Sequence, residues 1–223
     1  MKVISWNLLH LNGAAVEDVA ALIAQEAPDL LLLQEVTAGM DRLPDLAGGA
    51  LHQESSPGRR HCLAAWSPHP LPSSEPLPLP ASRMPGRLPP RVAQVLRLGE
   101  VTFANVHLSH GQLLNRLQLL KIARTLEGPA AVIGDYNTVG PIVLRGFRDV
   151  GPRARTHVAK KVVPFRLDRC LVRNLHCFSA RALERGRSDH RPIVVELRAA
   201  DATARPTVRG PKADIGAAVE LAG

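Results

Sequence analysis

Aromatic side chains are scarce in this sequence, with four Phe, two Trp and one Tyr among 223 residues. That scarcity argues against base stacking on ring faces as a main mode of ligand binding. Cysteine is also sparse. Cys62, Cys170 and Cys177 are odd in number and have no metal-ligand spacing, which argues against a disulfide framework and for reduced thiols. No stretch approaches the roughly 20 apolar residues that span a bilayer. The first ten residues, MKVISWNLLH, lack the basic, apolar and small-residue order of a signal peptide. These absences predict a cytoplasmic, monomeric chain without a transmembrane segment. What is present is a hydrophobic fraction of 45%, enough to bury a large core as one domain.

Charge is unevenly placed. Between Ile142 and Arg198 stand 14 Lys and Arg against five acids, Asp149, Asp168, Glu184, Asp189 and Glu196, while the whole chain carries a net +8. The rest is therefore close to neutral. A basic block of this kind suits a phosphate-rich partner, either nucleic acid or an anionic membrane surface.

Strand-like and helix-like segments alternate along the chain. KVISWNLL is an apolar strand, and Val16, Val19, Ala20, Ile23 and Ala27 then recur at helical spacing until Pro28 stops them. DLLLLQEV follows as a short buried strand, giving a βαβ opening. From Ser55 to Pro90 the chain is rich in Pro and Ser, with HCLAAW as a strand and PLPSSEPLPLP as loop or edge material. RVAQVLRL and VTFANVHL, separated by Gly99 and Glu100, read as a hairpin. Leu113, Leu117, Leu120 and Ala123 mark an amphipathic helix, after which AAVIGDYN, RLDRCLV and PIVVEL read as strands. The reading gives one domain over residues 1–199. Residues 200–223 have no periodicity and read as a mobile tail.

Polar residues collect where the strands end. Asn7 lies in the first strand, Glu35 closes the second, and His107 closes the hairpin. Asp135 and Asn137 follow AAVIG, Asp168 sits in RLDRCLV, and Asp189 with His190 precede the last strand. Each alone is an ordinary core amide, solvated acid or turn. Gathered at one rim, the acids would repel unless a cation joined them. Oxygen ligands of this type, with no Cys and no obvious His pair, favour Mg2+ or Mn2+ over zinc.

The ordered segments SWNLLH, LLLQEV, NVHLSHG, IGDYNT, RLDRCLV and GRSDHRPIVVEL resemble the endonuclease/exonuclease/phosphatase superfamily, the deoxyribonuclease I-like fold, over about residues 1–199. The resemblance implies an α/β, four-layer sandwich of two packed mixed β-sheets flanked by helices. It also implies metal-dependent hydrolysis of phosphate esters. Carried over by residue, Glu35 is the main metal ligand with Asn7 beside it and Asp189 on the metal side. Asp135 deprotonates the attacking water and Asn137 holds it in line. Asp168 pairs with His190, which donates to the scissile phosphate. His107 is a phosphate ligand or leaving-group acid, with Glu54 as its acidic partner. Arg116 is a substrate-binding residue, and His10 and His110 take no role and are read as surface residues.

Two activities are compatible with these residues. The favoured one is a Mg2+-dependent (or Mn2+-dependent) nuclease acting on DNA or RNA, endonuclease or exonuclease, for which the basic block argues. The alternative is an inositol-phosphate or lipid phosphoesterase of the same fold, with Leu71, Leu77, Leu79 and Met84 of the Pro-rich segment meeting an anionic membrane. A non-catalytic nucleic-acid-binding module is disfavoured by the intact Glu35, Asp135, Asn137, Asp168 and His190.

Overall fold

A computed structural model describes residues 1–10, 12–56, 58–82, 89–159 and 163–200. The tail read after Ala200 and Met84 of the Pro-rich segment lie outside the described residues. In chain order the elements are β1 (Lys2–Asn7), α1 (Val16–Glu26), β2 (Leu30–Val36), a 3-10 turn over Ala38–Arg42, α2 (Leu43–Ala47), β3 (Ala50–Ser55), β4 (Cys62–Ser67), β5 (Glu75–Pro78), β6 (Val92–Leu98), β7 (Val101–His107) and α3 (Gln112–Thr125). They continue with β8 (Ala130–Asp135), β9 (Arg148–Asp149), β10 (His157–Ala159), β11 (Val163–Phe165), β12 (Asp168–Arg173), β13 (Leu175–Ala182) and β14 (Ile193–Ala199). Among the described residues no helix is long and apolar enough to cross a membrane.

Two six-stranded sheets form, ordered β13-β14-β1-β2-β4-β3 and β5-β6-β7-β8-β12-β9, with β10 and β11 as a separate ribbon. Both are mixed. β1 and β2 run parallel with α1 between them in sequence, β7 and β8 run parallel with α3 between them, and the other paired strands are antiparallel. Period two in each strand decides what goes where. Val3, Leu30, Leu32, Phe103, Ala131, Ile133, Cys170, Ile193 and Val195 face inward and form one core between the sheets. The alternate residues Ile4, Leu31, Leu33 and Val194 pack with Val19, Leu22 and Ile23 of α1. On the other side Ala104, Val106, Ala130 and Val132 pack with Leu119 and Ile122 of α3. The result is a four-layer α/β sandwich.

The helix over 112–125 is present, but its buried face is not the one its leucines predict. Leu113, Leu117 and Leu120 are 75, 45 and 41% exposed, whereas Asn115, Gln118, Leu119 and Ile122 are buried. The reason is polar. Asn115 donates to the carbonyls of Tyr136 and Asn137, and Gln118 accepts from the Ser109 N–H and donates to the Pro80 carbonyl. These amides face the sheet because they hold its exit loops, and hydrophobic periodicity has no way to register that.

Amides also lock the two sheets together. Asn105, fully buried on β7, donates to the carbonyls of Leu33 and Ala64 in the facing sheet and to Gln94 Oε1. It accepts from Gln34 Nε2 at 2.8 Å, and Gln34 in turn donates to Ser5 Oγ. Replacing Asn105 by Ala strands several buried groups, each worth about 1–3 kcal/mol when unpaired. Urea unfolding of Asn105→Ala is therefore expected to show a loss of about 3 kcal/mol or more. A loss below about 0.5 kcal/mol, the scale of a featureless surface change, would contradict this role.

Candidate active site

The site is the end of the inward-facing rows. Continuing the inner alternation Val3, Ser5 on β1 leads to Asn7. Phe103 and Asn105 on β7 lead to His107, and Ala131 and Ile133 on β8 lead to Asp135. β12 runs opposite to β8, so its first residue, Asp168, lies across from Asp135. β14 runs opposite to β1, which brings the turn before it, with Asp189 and His190, to the same rim. Period two thus delivers apolar residues to the core and polar ones to its mouth.

Three backbone features aim these side chains. In the β2–β4 pairing the register shifts between Leu33 and Val36, and Glu35 there adopts φ +58°. A bulge with a left-handed residue is costly for a non-glycine and persists where the surrounding structure demands it. It turns Glu35 out of the strand. Asn137 is also left-handed, at φ +49°, with its N–H on Asp135 Oδ1 at 2.8 Å. Gly134 has φ +145°, and a Cβ there would stand 2.0 Å from the Val106 carbonyl oxygen. Only glycine lets β8 lie close enough to β7 to bring His107 opposite Asp135.

A cavity of about 320 Å3 opens at this rim, lined among others by Asn7, Glu35, His107, Asp135, Asn137 and Asp189. His190 also lines it. Asn7 Nδ2 donates to Asp135 Oδ2 at 3.1 Å, joining the two sheets across the site. His107 Nε2 stands 3.5 Å from Asp135 Oδ2 and 3.6 Å from Glu35 Oε1. His190 Nδ1 meets Asp168 Oδ2 at 2.8 Å, and its Nε2 lies 3.7 Å from Asp135 Oδ2. The 188–190 turn is pinned to β1, with Ser188 Oγ donating to the Asn7 carbonyl and Trp6 Nε1 to the His190 carbonyl.

Burial and charge set the protonation states. Burial opposes a charge on His190, but Asp168 and Asp135 outweigh it and raise its pKa to about 10. Burial, with Arg91 nearby, pushes His107 well below its ordinary value and keeps it neutral. Burial raises the Asp135 carboxyl, with His190 opposing, which makes it a stronger base. For Glu35 burial acts upward, yet hydrogen bonds from His10 prevail and lower it.

Asn7, Glu35, His107, Asp135, Asn137, Asp189 and His190 therefore share one cavity, with Asp168 behind His190. Arg116 is exposed on α3 and is not among the lining residues. Glu54 is not at His107; its Oε2 accepts from Ser74 instead. Of the two histidines read as surface residues, His110 is exposed and His10 half-buried, and both border the site. His110 lines the cavity, and His10 gives Glu35 Oε2 both its N–H, at 3.1 Å, and its Nδ1, at 2.6 Å. Two more were missed altogether. His61 stacks on His10, and His157 Nε2 lies 3.3 Å from Asp189 Oδ2 with its ring 4.5 Å from that of His190. A histidine just before a strand, as His61 is, or opening a three-residue one, as His157 does, carries no periodic signal, and only the spatial neighbourhood identifies these. The expected lack of a His pair near the acids does not hold.

Comparison with known proteins places this geometry among others. The sequence profile of the Endonuclease/Exonuclease/phosphatase family matches residues 4–190. No curated protein matches the chain. Solved structures similar to it include a functionally unknown conserved protein from Enterococcus faecalis V583, at 19% identity and TM-score 0.73, covering 89% of this chain and 100% of that one. An endonuclease/exonuclease/phosphatase from Beutenbergia cavernae DSM 12333 matches at 19% identity and TM-score 0.70 over 90% of this chain and 72% of that one. A humanized D. rerio TDP2 carrying 14 mutations matches at 18% identity and TM-score 0.70 over 89% and 98%.

The charge on His190 is directly measurable. Because its pKa is raised on folding, its stabilising contribution is complete below the unfolded value near 6.5 and is lost as pH climbs toward 10. An NMR titration of the imidazole carbons in the metal-free protein is expected to place its midpoint near 10, falling by about 1 to 3 in Asp168→Asn. A wild-type midpoint below about 7, the ordinary range of histidine, would refute the pairing as its cause.

Proposed function

This chain belongs to the endonuclease/exonuclease/phosphatase family, whose members are phosphoesterases that generally depend on divalent metals, and from that premise we propose that it is a nuclease hydrolysing phosphodiester bonds of DNA or RNA. The observation that carries the polymer reading is a second cavity of about 660 Å3, lined by Arg148, Arg153, Arg155, Arg166 and Arg169. It shares Val139 and Phe165 with the first. Arg166 and Arg169 are taken up by Asp149, at 2.7 and 3.1 Å, and by backbone carbonyls, so among the described residues Arg148, Arg153 and Arg155 line the cavity without an acidic partner. A chain of phosphates extending from the scissile one fits that surplus better than a lone phosphate does.

The donor set fits a hard dication. Among the described residues Glu35 Oε1 makes no hydrogen bond, both bonds from His10 going to Oε2, and Asp189 Oδ1 is buried without a hydrogen-bond partner. Asn7 Oδ1 accepts the Leu9 N–H and keeps a second lone pair. Asn7, Glu35 and Asp189 would hold Mg2+ or Mn2+ through these oxygens. When bound, the ion supplies positive charge to a phosphate oxygen and to the leaving oxygen.

The protein's own groups do the rest. Asp135, raised in basicity by burial, takes the proton of the attacking water. Asn137 donates one amide hydrogen to the Leu108 carbonyl, which fixes the side chain, and keeps its other donor and its oxygen to hold that water in line. His190, held charged and oriented by Asp168, donates from Nε2 to a phosphate oxygen. His107, neutral and facing both Glu35 and Asp135, accompanies the leaving group.

Replacing Asp135 by Asn is expected to lower turnover of an oligonucleotide with Mg2+ or Mn2+ by about 100-fold or more while binding persists. Full turnover in that variant would remove Asp135 as the base. The same variant serves as a trap for a salt series. With roughly four or more phosphate contacts, affinity for duplex falls with a log-log slope of about −0.9 per contact, and Arg153→Ala with Arg155→Ala lessens the slope by about 1 to 2. A flat response without oligonucleotide binding, together with turnover of inositol phosphates or sphingomyelin, would move the substrate to the headgroup class.

A further inference from the structure

We propose that His10 and His61 join Glu35 in a nitrogen-rich metal site, one that selects a borderline first-row dication such as Zn2+ or Co2+ over Mg2+. The proposal rests on the reading of Glu35 as the metal-binding carboxylate and specifies which ion that carboxylate takes. One ligand atom from each of the three residues lies within 4.8 Å of the other two. Ligands about 2.1 Å from a tetrahedral ion stand about 3.4 Å apart, so modest side-chain rotation closes the set. His10 Nδ1 is already 2.6 Å from Glu35 Oε2, and the His10 and His61 rings stack with centroids 4.7 Å apart at 30°.

The backbone brings the three together. Cys62 pairs with Val36 where β4 meets β2 antiparallel, so Glu35, one step before Val36, and His61, one step before Cys62, flank that pair on opposite sides, diagonally across it. The bulge turns Glu35 toward them. His10 sits in the turn after β1, following Leu9 at φ +59°, with its N–H anchored on the same Glu35 oxygen. All three are half-buried, so part of their hydration is already shed. A third imidazole, His107, stands 3.6 Å from Glu35 Oε1 on the cavity side, with its ring 5.9 Å from that of His61.

The chemistry of the set decides the ion. Two imidazoles and one carboxylate leave open positions for water or a phosphate oxygen, and imidazole suits zinc and its borderline neighbours, whereas Mg2+ and Mn2+ favour oxygen ligands. Without His10 and His61 the site reverts to Asn7, Glu35 and Asp189, an oxygen set.

The test is calorimetric titration of the full chain with Zn2+, Mn2+ and Mg2+, together with the visible ligand-field spectrum of added Co2+, repeated on His10→Asn with His61→Asn and on Glu35→Gln. Thermal melting of each variant verifies that it is folded. Wild type is expected to bind Zn2+ and to give Co2+ bands characteristic of low coordination number with nitrogen ligands. The double histidine variant is expected to lose about 100-fold or more in Zn2+ affinity, while its Mg2+ affinity changes by less than about threefold. Glu35→Gln is expected to weaken all three metals. If Zn2+ affinity and the Co2+ spectrum are unchanged in the folded double variant while Glu35→Gln abolishes both, the histidines are only hydrogen-bond partners and the proposal fails, with the metal-dependent function intact. If wild type binds no dication at all, the proposal and that function fail together. Should the double variant not fold, His10→Asn and His61→Asn singly are each expected to cost about tenfold in Zn2+ affinity, and no loss in either overturns the proposal.

Discussion

The hydrogen-bonded run Gln94, Asn105, Gln34 and Ser5 crosses the gap between the sheets, and the site depends on it. Two apolar faces could slide over each other at modest cost, because dispersion and burial are not directional. Amides are directional. By bonding Asn105 to the carbonyls of Leu33 and Ala64, the second sheet is held at one register against the first, just below the rim. That register sets Asn7 and Glu35 of one sheet against His107 and Asp135 of the other. A small slip would separate the Asn7–Asp135 hydrogen bond, and misplacement of about 1 Å is enough to cost catalysis heavily. Buried polar groups here trade some stability for alignment, a recognised use of such networks.

Electrostatics at the rim follows from the same alignment. Glu35, Asp135, Asp168 and Asp189 are drawn toward one opening, and the folded chain answers them with imidazoles. His10 takes Glu35, His157 takes Asp189, and His190 takes Asp168 while facing Asp135. The pairing is selective. His190 is charged and faces Asp135, whereas His107 is kept neutral by burial though it stands between two carboxylates. One ring is thus a fixed cation and its neighbour an uncharged hydrogen-bonding group.

Much of this was readable from the chain. The central strands have apolar alternation that ends in Asn7, His107 and Asp135, and period two alone predicts that those side chains share a face with the core. Of the strands that were not read, β3, β9 and β13 are sheet edges and β10 with β11 is a short separate ribbon. Along β3 and through most of β13 the residues are half-buried or exposed, so their sequences lack the alternation that marks a central strand. α3 was read as a helix with the wrong face, because Asn115 and Gln118 are buried for hydrogen bonding rather than for hydrophobicity. The bulge at Glu35 leaves no mark in LLLLQEV, and His61 opens HCLAAW, a strand whose apolar run says nothing of what its first residue meets. Composition reports what a residue prefers. The histidine shell arises from where the folded sheets end.

The central claim is that this rim activates water against phosphorus. It is tested most directly by cleaving an oligonucleotide under single-turnover conditions in water enriched in oxygen-18, with a divalent metal present, and weighing the product phosphate by mass spectrometry. One heavy oxygen on the terminal phosphate for each bond cut is the predicted result, with no cleavage once the metal is chelated. A product phosphate carrying only light oxygen would mean that a group other than water attacks, and would contradict the account.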